Sequence, residues 1–455
     1  MDPRSYDPDF CSRHLVDLPI DVRIACVESS TGGSPLERSL ARLTIALIAV
    51  RASALPAAAA AGDLDESFGG DGKVRIGFGA PASAQGAVVL ADGRIVVAGT
   101  VEGAFAVLQL RPDGGLDSKF TGDGLKRIEF DERSHAEALA IDPDGRIVVA
   151  GAVQESPAGG ERFALARLLP SGRLDSSFGG DGRVVTNFRG GAGAYDVAIG
   201  GDGRIVAVGE GGSDFALAAY MPDGSPDQAF AGDGKRLVDL GGEDFARGTV
   251  IQGNGRIVAA GSVLDPLSET QDFGVVRLMP DGSFDGSFGD AGKVTTDFRG
   301  ASDLAQDVAL QSDGKIVVTG WTSLLFRRFA TVRYSVDGTL DRTFGGNGRV
   351  ATLVGNHASG AALSVAKDGK ILVAGTVWWS DTTFLDPRSD FAVVRYKPDG
   401  ALDRRFGEDG RVTTDFRRED SGNAISPAPQ GRIIVAGTAS GEKGVYLALA
   451  RYDAG

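Results

Sequence analysis

One phrase, LDSSFGGDGRVVTNF at residues 174–188, returns in close copies that begin at Leu64, Leu116, Pro226, Phe284, Leu340 and Leu402. The aspartates in its second position, Asp65, Asp117, Asp175, Asp227, Asp285, Asp341 and Asp403, are spaced by 52, 58, 52, 58, 56 and 62 residues. Self-similarity at a nearly fixed period means one supersecondary unit repeated with loops of variable length. Such units pack only on their neighbours, so 455 residues need not be divided into two or three ordinary domains.

Two further phrases recur seven times each. One is DGRIVVAG in its variants, from Asp92, Asp144, Asp202, Asn254, Asp313, Asp368 and Gln430; the other is FALARLLPSG at Phe163, matched from Phe105, Phe215, Phe273, Phe329, Phe391 and Leu447. Each unit therefore reads as four strands. A small-residue strand leads through Asp-Gly into an apolar run such as KIVVTG, then come FAVVRY and KVTTDF. The Asp-Gly pairs predict two-residue hairpin turns with positive φ, with Pro143 suiting a bulged turn in the second unit. The repeat region opens on a fourth strand, KVRIGF at 73–78, with no first three before it, and finishes on three strands with no fourth after them. These leftovers are complementary. They predict an all-β, seven-bladed β-propeller of four-stranded antiparallel blades over residues 63–455, closed into a ring by the N-terminal strand.

Residues 1–62 do not share the repeat and read as a leader. Arg38 and Arg42, the apolar run Leu43 to Val50 and the alanines up to Ala61 form a signal-peptide pattern over about 36–61, preceded by a stretch that an overextended start site explains. Arg51 interrupts the apolar run, so a membrane span is not expected, and secretion or the cell surface is. Cys11 and Cys26, the only cysteines, both lie in the leader, which leaves no thiol chemistry for the repeats. A net charge of −14 argues against nucleic acid as a partner.

The three phrases together, in order, resemble the delta-60 repeat of bacterial secreted and surface proteins. The resemblance covers essentially all of residues 63–455 and implies a propeller and an exported protein, but no catalytic residue. The unit departs from the pattern at Pro226 in the opening phrase and at Gln109 and Ala219, which stand where the third phrase has arginine.

The repeated residues read as scaffold: phenylalanines such as Phe68, Phe163 and Phe188 as core anchors, and Arg167, Arg277, Arg333, Arg395 and Arg451 as members of ion pairs or stacks between blades. No cofactor is expected. Calcium is the one metal the opening phrase leaves open, because FGGDG sets a second carboxylate six residues after the first; but no calcium-loop spacing is present, and Asp in turns serves side-chain-to-backbone hydrogen bonds.

Variation is concentrated in the links between second and third strands, which share one face with the connections between blades. All three tryptophans fall there, Trp321 in the fifth blade and Trp378 and Trp379 in the sixth, with Phe326, Arg327, Arg328, His357 and Phe384 nearby in the sequence. Trp321, Trp378, Trp379, His357, Arg327 and Arg328 are accordingly the candidate ligand-binding residues, suited to a sugar ring or a peptide. The alternative is that Trp378 and Trp379 merely cap their own blade. The leading expectation is a non-catalytic binding or scaffold protein with a glycan, peptide or protein ligand. The alternative is a secreted hydrolase, lyase or quinone-dependent dehydrogenase with a carboxylate-bound metal at the channel mouth; no linear catalytic motif marks one.

Overall fold

Each repeat folds into a four-stranded antiparallel sheet, and the described residues contain seven of them. A computed structural model describes residues 60–455 apart from 131, 155–159, 266–267, 324, 380–387 and 443. The expected signal peptide up to residue 59, both cysteines and Phe384 lie outside these residues. The innermost strands of the seven blades are Ala82–Val89, Ser134–Ile141, Ala192–Ile199, Asp244–Ile251, Asp303–Leu310, His357–Val365 and Asp420–Ala428. Each touches the innermost strands of its two neighbours, including the first with the seventh, so the blades close into a ring. The protein is a seven-bladed propeller.

The second strands explain the unbroken apolar runs. Ile95–Val101 has buried side chains on both faces, because a blade is sandwiched between two others. The core therefore lies between blades: Val96, Phe105 and Phe120 of the first unit pack with Ala136, Leu139 and Val149 of the second.

Ring closure is that expected from the leftover strands. Lys73–Ile76 is the outer strand of the seventh blade, with Lys73 opposite Ala450 and Ile76 opposite Leu447. The Gly62 amide donates to the Asp453 carbonyl at 2.7 Å and the Gly407 amide to the Ala61 carbonyl at 2.7 Å, so the segment before the strand ties the seventh blade to the sixth.

The hairpin turns differ from expectation. In the fifth blade the Gly314 amide donates to the Gln311 carbonyl at 2.9 Å and the Gln311 amide to the Lys315 carbonyl at 2.9 Å. Only Gly314 of the Asp-Gly pair has positive φ, 81°. This is a type I turn with a bulge at glycine, and the aspartate caps it: Asp313 Oδ1 accepts from the Lys315 amide at 3.2 Å. The first six blades share this form, and Pro143 is not the exception. In the seventh, where Gln430 replaces aspartate, Gln430 and Gly431 both take positive φ, 65° and 70°.

The opening-phrase aspartates and the recurring arginines form one device. Arg277 donates through Nε to Asp285 Oδ2 at 2.7 Å and through Nη1 to the Val336 carbonyl of the next blade at 2.5 Å, and its guanidinium lies 4.6 Å from the Phe288 ring centre. Asp285 Oδ1 accepts from the Ser287 hydroxyl at 2.6 Å and its amide at 3.0 Å. Burial alone pushes this carboxyl up, but the Ser287 hydroxyl and amide, followed by Arg277, outweigh it and hold it at about 2. Where the third phrase has Ala219, Arg204 of the neighbouring strand takes the role, reaching Asp227 at 2.5 Å and the Pro280 carbonyl at 2.5 Å.

Candidate binding surface and channel mouth

The seven glycines that end the phrase DGRIVVAG have a common reason. A Cβ on Gly99 would sit 1.8 Å from the Ser83 carbonyl oxygen, and one on Gly320 1.8 Å from that of Leu304. Each glycine makes room for a β-bulge in the facing innermost strand, where the register slips by one residue, as between Ala84 and Gly86 or Ala305 and Asp307. The extra residue lines the central channel. Around the ring these residues are Gln85, Glu137, Tyr195, Arg247, Gln306, Ala361 and Asn423. Small neighbours flank them because the innermost strands nearly touch; a Cβ on Gly248 would meet the Asp307 Cα at 2.9 Å.

This girdle was not singled out from the sequence, although a signal exists: one variable position between small residues in an otherwise uniform strand. It is internally bonded. Asn423 Nδ2 donates to Gln85 Oε1 at 2.6 Å, and Gln85 Nε2 to Glu137 Oε2 at 3.3 Å. His135 lies 3.6 Å from Glu137 and 3.9 Å from Glu161. The Arg247 guanidinium stacks 3.8 Å from the Tyr195 ring centre, and the Tyr195 hydroxyl donates to Glu210 at 3.2 Å. Burial pushes the Glu137 carboxyl up, opposed by His135 and then Arg247. Burial also pushes the Tyr195 phenol up to about 12, so it remains a proton donor at neutral pH. The sixth blade offers only the Ala361 methyl group, which leaves the girdle open on that side.

On the variable face of the fifth and sixth blades the structure brings four of the six candidate residues together or nearly so. The Arg327 guanidinium lies 3.9 Å from the Trp321 ring centre and 5.9 Å from that of Trp378. Its amide donates to His357 Nδ1 at 3.2 Å, and His357 stands opposite Trp378 in the sheet. The Phe326 ring meets the His357 ring edge-on at 5.6 Å and remains 43% exposed. Burial lowers the Arg327 pKa, and among the described residues no carboxylate pairs with this cation.

The other two candidates are placed elsewhere. Arg328 lines a separate groove with Phe298, Arg299, Asn347 and Arg349, because neighbouring strand residues point to opposite faces. Trp379 is 43% exposed, donates to Asp390 and is held through its carbonyl by Asn356 at 2.8 Å. It does not bury itself as a cap.

Six stretches, 90–120, 143–178, 200–230, 252–288, 311–344 and 366–406, match the family described as a domain of unknown function (DUF5122) beta-propeller. No curated protein matches the sequence. Among solved structures, a protein of unknown function from Dyadobacter fermentans is similar at 12% identity, covering 84% of this chain and 97% of its own, with a TM-score of 0.43. A polysaccharide lyase of family PL25, an ulvan lyase, has 13% identity over 84% and 96% of the two chains and a TM-score of 0.47. Drosophila Plexin A in complex with Semaphorin 1b has 9% identity over 86% and 88%, with a TM-score of 0.42. Likenesses at this level transfer no function. No helix among the described residues is long and apolar enough to cross a membrane. Its seven four-stranded blades and the six stretches that match that family make the chain a protein of β-propeller repeat type.

Proposed function

We propose that the chain is an exported binding or scaffold protein that holds an anionic glycan or peptide on its variable face, across the fifth and sixth blades. One observation carries the reading. Arg327 is a stacked, partly desolvated cation between two indoles, with no carboxylate partner among the described residues. An aromatic platform supplies contact area and the fixed guanidinium supplies orientation for a carboxylate, sulfate or phosphate group.

The test is an array of acidic and neutral oligosaccharides and peptides probed with the full chain, followed by titration of any hit against tryptophan emission. Binding of acidic members that is lost in Trp321→Ala and in Arg327→Gln is expected. Hits retained by both variants would remove the cluster from consideration. A second reading, a hydrolase or lyase acting at the channel mouth, is favoured by the half-buried Glu137 beside His135. It requires turnover of a bound glycan that Glu137→Gln abolishes while binding persists.

A further inference from the structure

Three places on the variable face gather three aspartates each: Asp214, Asp239 and Asp244; Asp272, Asp297 and Asp303; Asp390, Asp415 and Asp420. All three are built alike. The first aspartate is the first or second residue of a blade's third strand, the second follows its outer strand, and the third lies at the start of the next blade's innermost strand. In each group one oxygen per carboxylate lies within 4.8 Å of the others.

The third aspartate of each group is the informative one. Asp244, Asp303 and Asp420 are 1%, 0% and 1% exposed. Each uses Oδ2 to accept a backbone amide at 2.6 Å, from Leu240, Phe298 and Phe416 respectively. Each leaves Oδ1 buried with no hydrogen-bond partner. The Gly242 amide and the Thr322 hydroxyl lie beside Asp244 and Asp303, yet neither closes the gap in hydrogen-bond geometry. An orphaned anionic oxygen in a dry site is strongly unfavourable unless something positive completes it.

The repeats supply an independent comparison within the chain. At the same three positions the other four blade junctions carry Tyr446, Gly77 and Ala82; Ala104, Glu129 and Ser134; Arg162, Asn187 and Ala192; and Arg328, Leu353 and Ala358. Aspartate occupies all three positions or none. Caps and turns that served each strand separately would vary separately. Joint presence points to one object held by all three carboxylates.

We propose that these three junctions are divalent-cation sites, each taking one calcium ion between two blades. The ligands are carboxylate oxygens alone, which suits a hard cation, and water completes the shell. Bonds of about 2.3–2.6 Å let opposite calcium ligands stand roughly 5 Å apart, whereas magnesium at about 2.1 Å demands closer, octahedral approach. The opening-phrase aspartates are not involved, since their arginine and serine partners already occupy them. The site is independent of the aromatic cluster and of the function proposed for it.

The decisive experiment is equilibrium dialysis of the full chain, stripped with a chelator, against calcium on the order of 1 mM, in the range of extracellular calcium modules. Three bound ions per chain are expected, and two in each of Asp239→Asn, Asp297→Asn and Asp415→Asn. These replace the exposed member of each group, so the fold is spared. Melting without calcium should be unchanged or raised in the variants, because a like-charge repulsion is removed, and lowered relative to the unaltered chain once calcium is present. No bound calcium in the unaltered chain, or three ions retained in all three variants, overturns the proposal.

Discussion

The indole Nε1 of Trp379 donates to Oδ2 of Asp390 across 2.5 Å. Asp390 belongs to the third aspartate group, so an exposed tryptophan is wired directly to a proposed cation site. Calcium added to the stripped protein should shift Trp379 emission. Asp420→Asn should abolish that shift and Asp303→Asn should leave it, because Asp303 lies in another junction. A shift that survives Asp420→Asn would mean the fluorescence reports some other event.

Arg327 makes a contrasting case, since it contributes little to holding the fold. A cation–π contact is worth about 0.5–2 kcal/mol, and Arg327 sits on a loop edge rather than in a core. Arg327→Gln should therefore lower stability by no more than about 2 kcal/mol, measured by chemical denaturation, while abolishing any anionic ligand binding.

Arg277 should behave in the opposite way. Replacing it with Met removes one of the two guanidiniums on the buried Asp285 carboxylate, leaving Arg256 at 2.8 Å, and releases the Val336 carbonyl of the next blade. With Arg256 and Ser287 still on the carboxylate, the cost is that of a lost charged hydrogen bond, about 1.5–3 kcal/mol. The depressed pKa of Asp285 gives the sign of its pH dependence: its contribution is present above the unfolded value of about 4 and is lost as pH falls towards 2. Acid melts of the unaltered chain should show this loss, and Arg277→Met should show a smaller one, because the Ser287 hydroxyl and amide and Arg256 still hold the carboxylate.

Asp196 and Asp307, half-buried in the channel wall, have the reverse sign. Each accepts a backbone amide of the following blade, from Thr249 at 2.6 Å and from Leu363 at 2.7 Å. Burial pushes their carboxyls up, to about 8 and about 7, with repulsion from Asp307 adding to Asp196. Their protonated forms favour the folded state, so that contribution is complete below about pH 4 and is lost as pH rises through 7 to 8. With chelator present, the protein should melt higher at pH 5 than at pH 8. Asp196→Asn with Asp307→Asn should flatten that slope.

Deleting residues 60–79 should remove the outer strand of the seventh blade together with its ties through Ala61 and Gly62. A markedly lower and broader thermal transition is expected. A truncated chain that melted like the full one would show that closure does not depend on this strand.

Blade number, strand order and closure were legible because each rests on local chemistry repeated seven times. Phe163 and its counterparts anchor the core, and the strand at Lys73 lacks a blade of its own. The turns were misread because Asp-Gly has two solutions, and Asp313 chose the one in which its carboxylate caps the Lys315 amide. Tyr195 and Arg247 escaped notice because a bulge breaks the alternation by which strand faces are read. The aspartate groups escaped for another reason: Asp214, Asp239 and Asp244 come from three segments and two blades, and only the fold brings them together. Arg327 and Trp321 were singled out because rare aromatics in variable loops stand out against repeats.

The pairing of Lys73 with Ala450 also sets an order of events in the cell. At about 5–20 residues per second of synthesis, the first strand of the propeller waits on the order of tens of seconds for its partner. During that interval it is an unclaimed edge, open to wrong pairing with other chains. Its four-residue length and its charges at Lys73 and Arg75 blunt that hazard, so the segment that completes the circle is also poorly suited to starting a fibre.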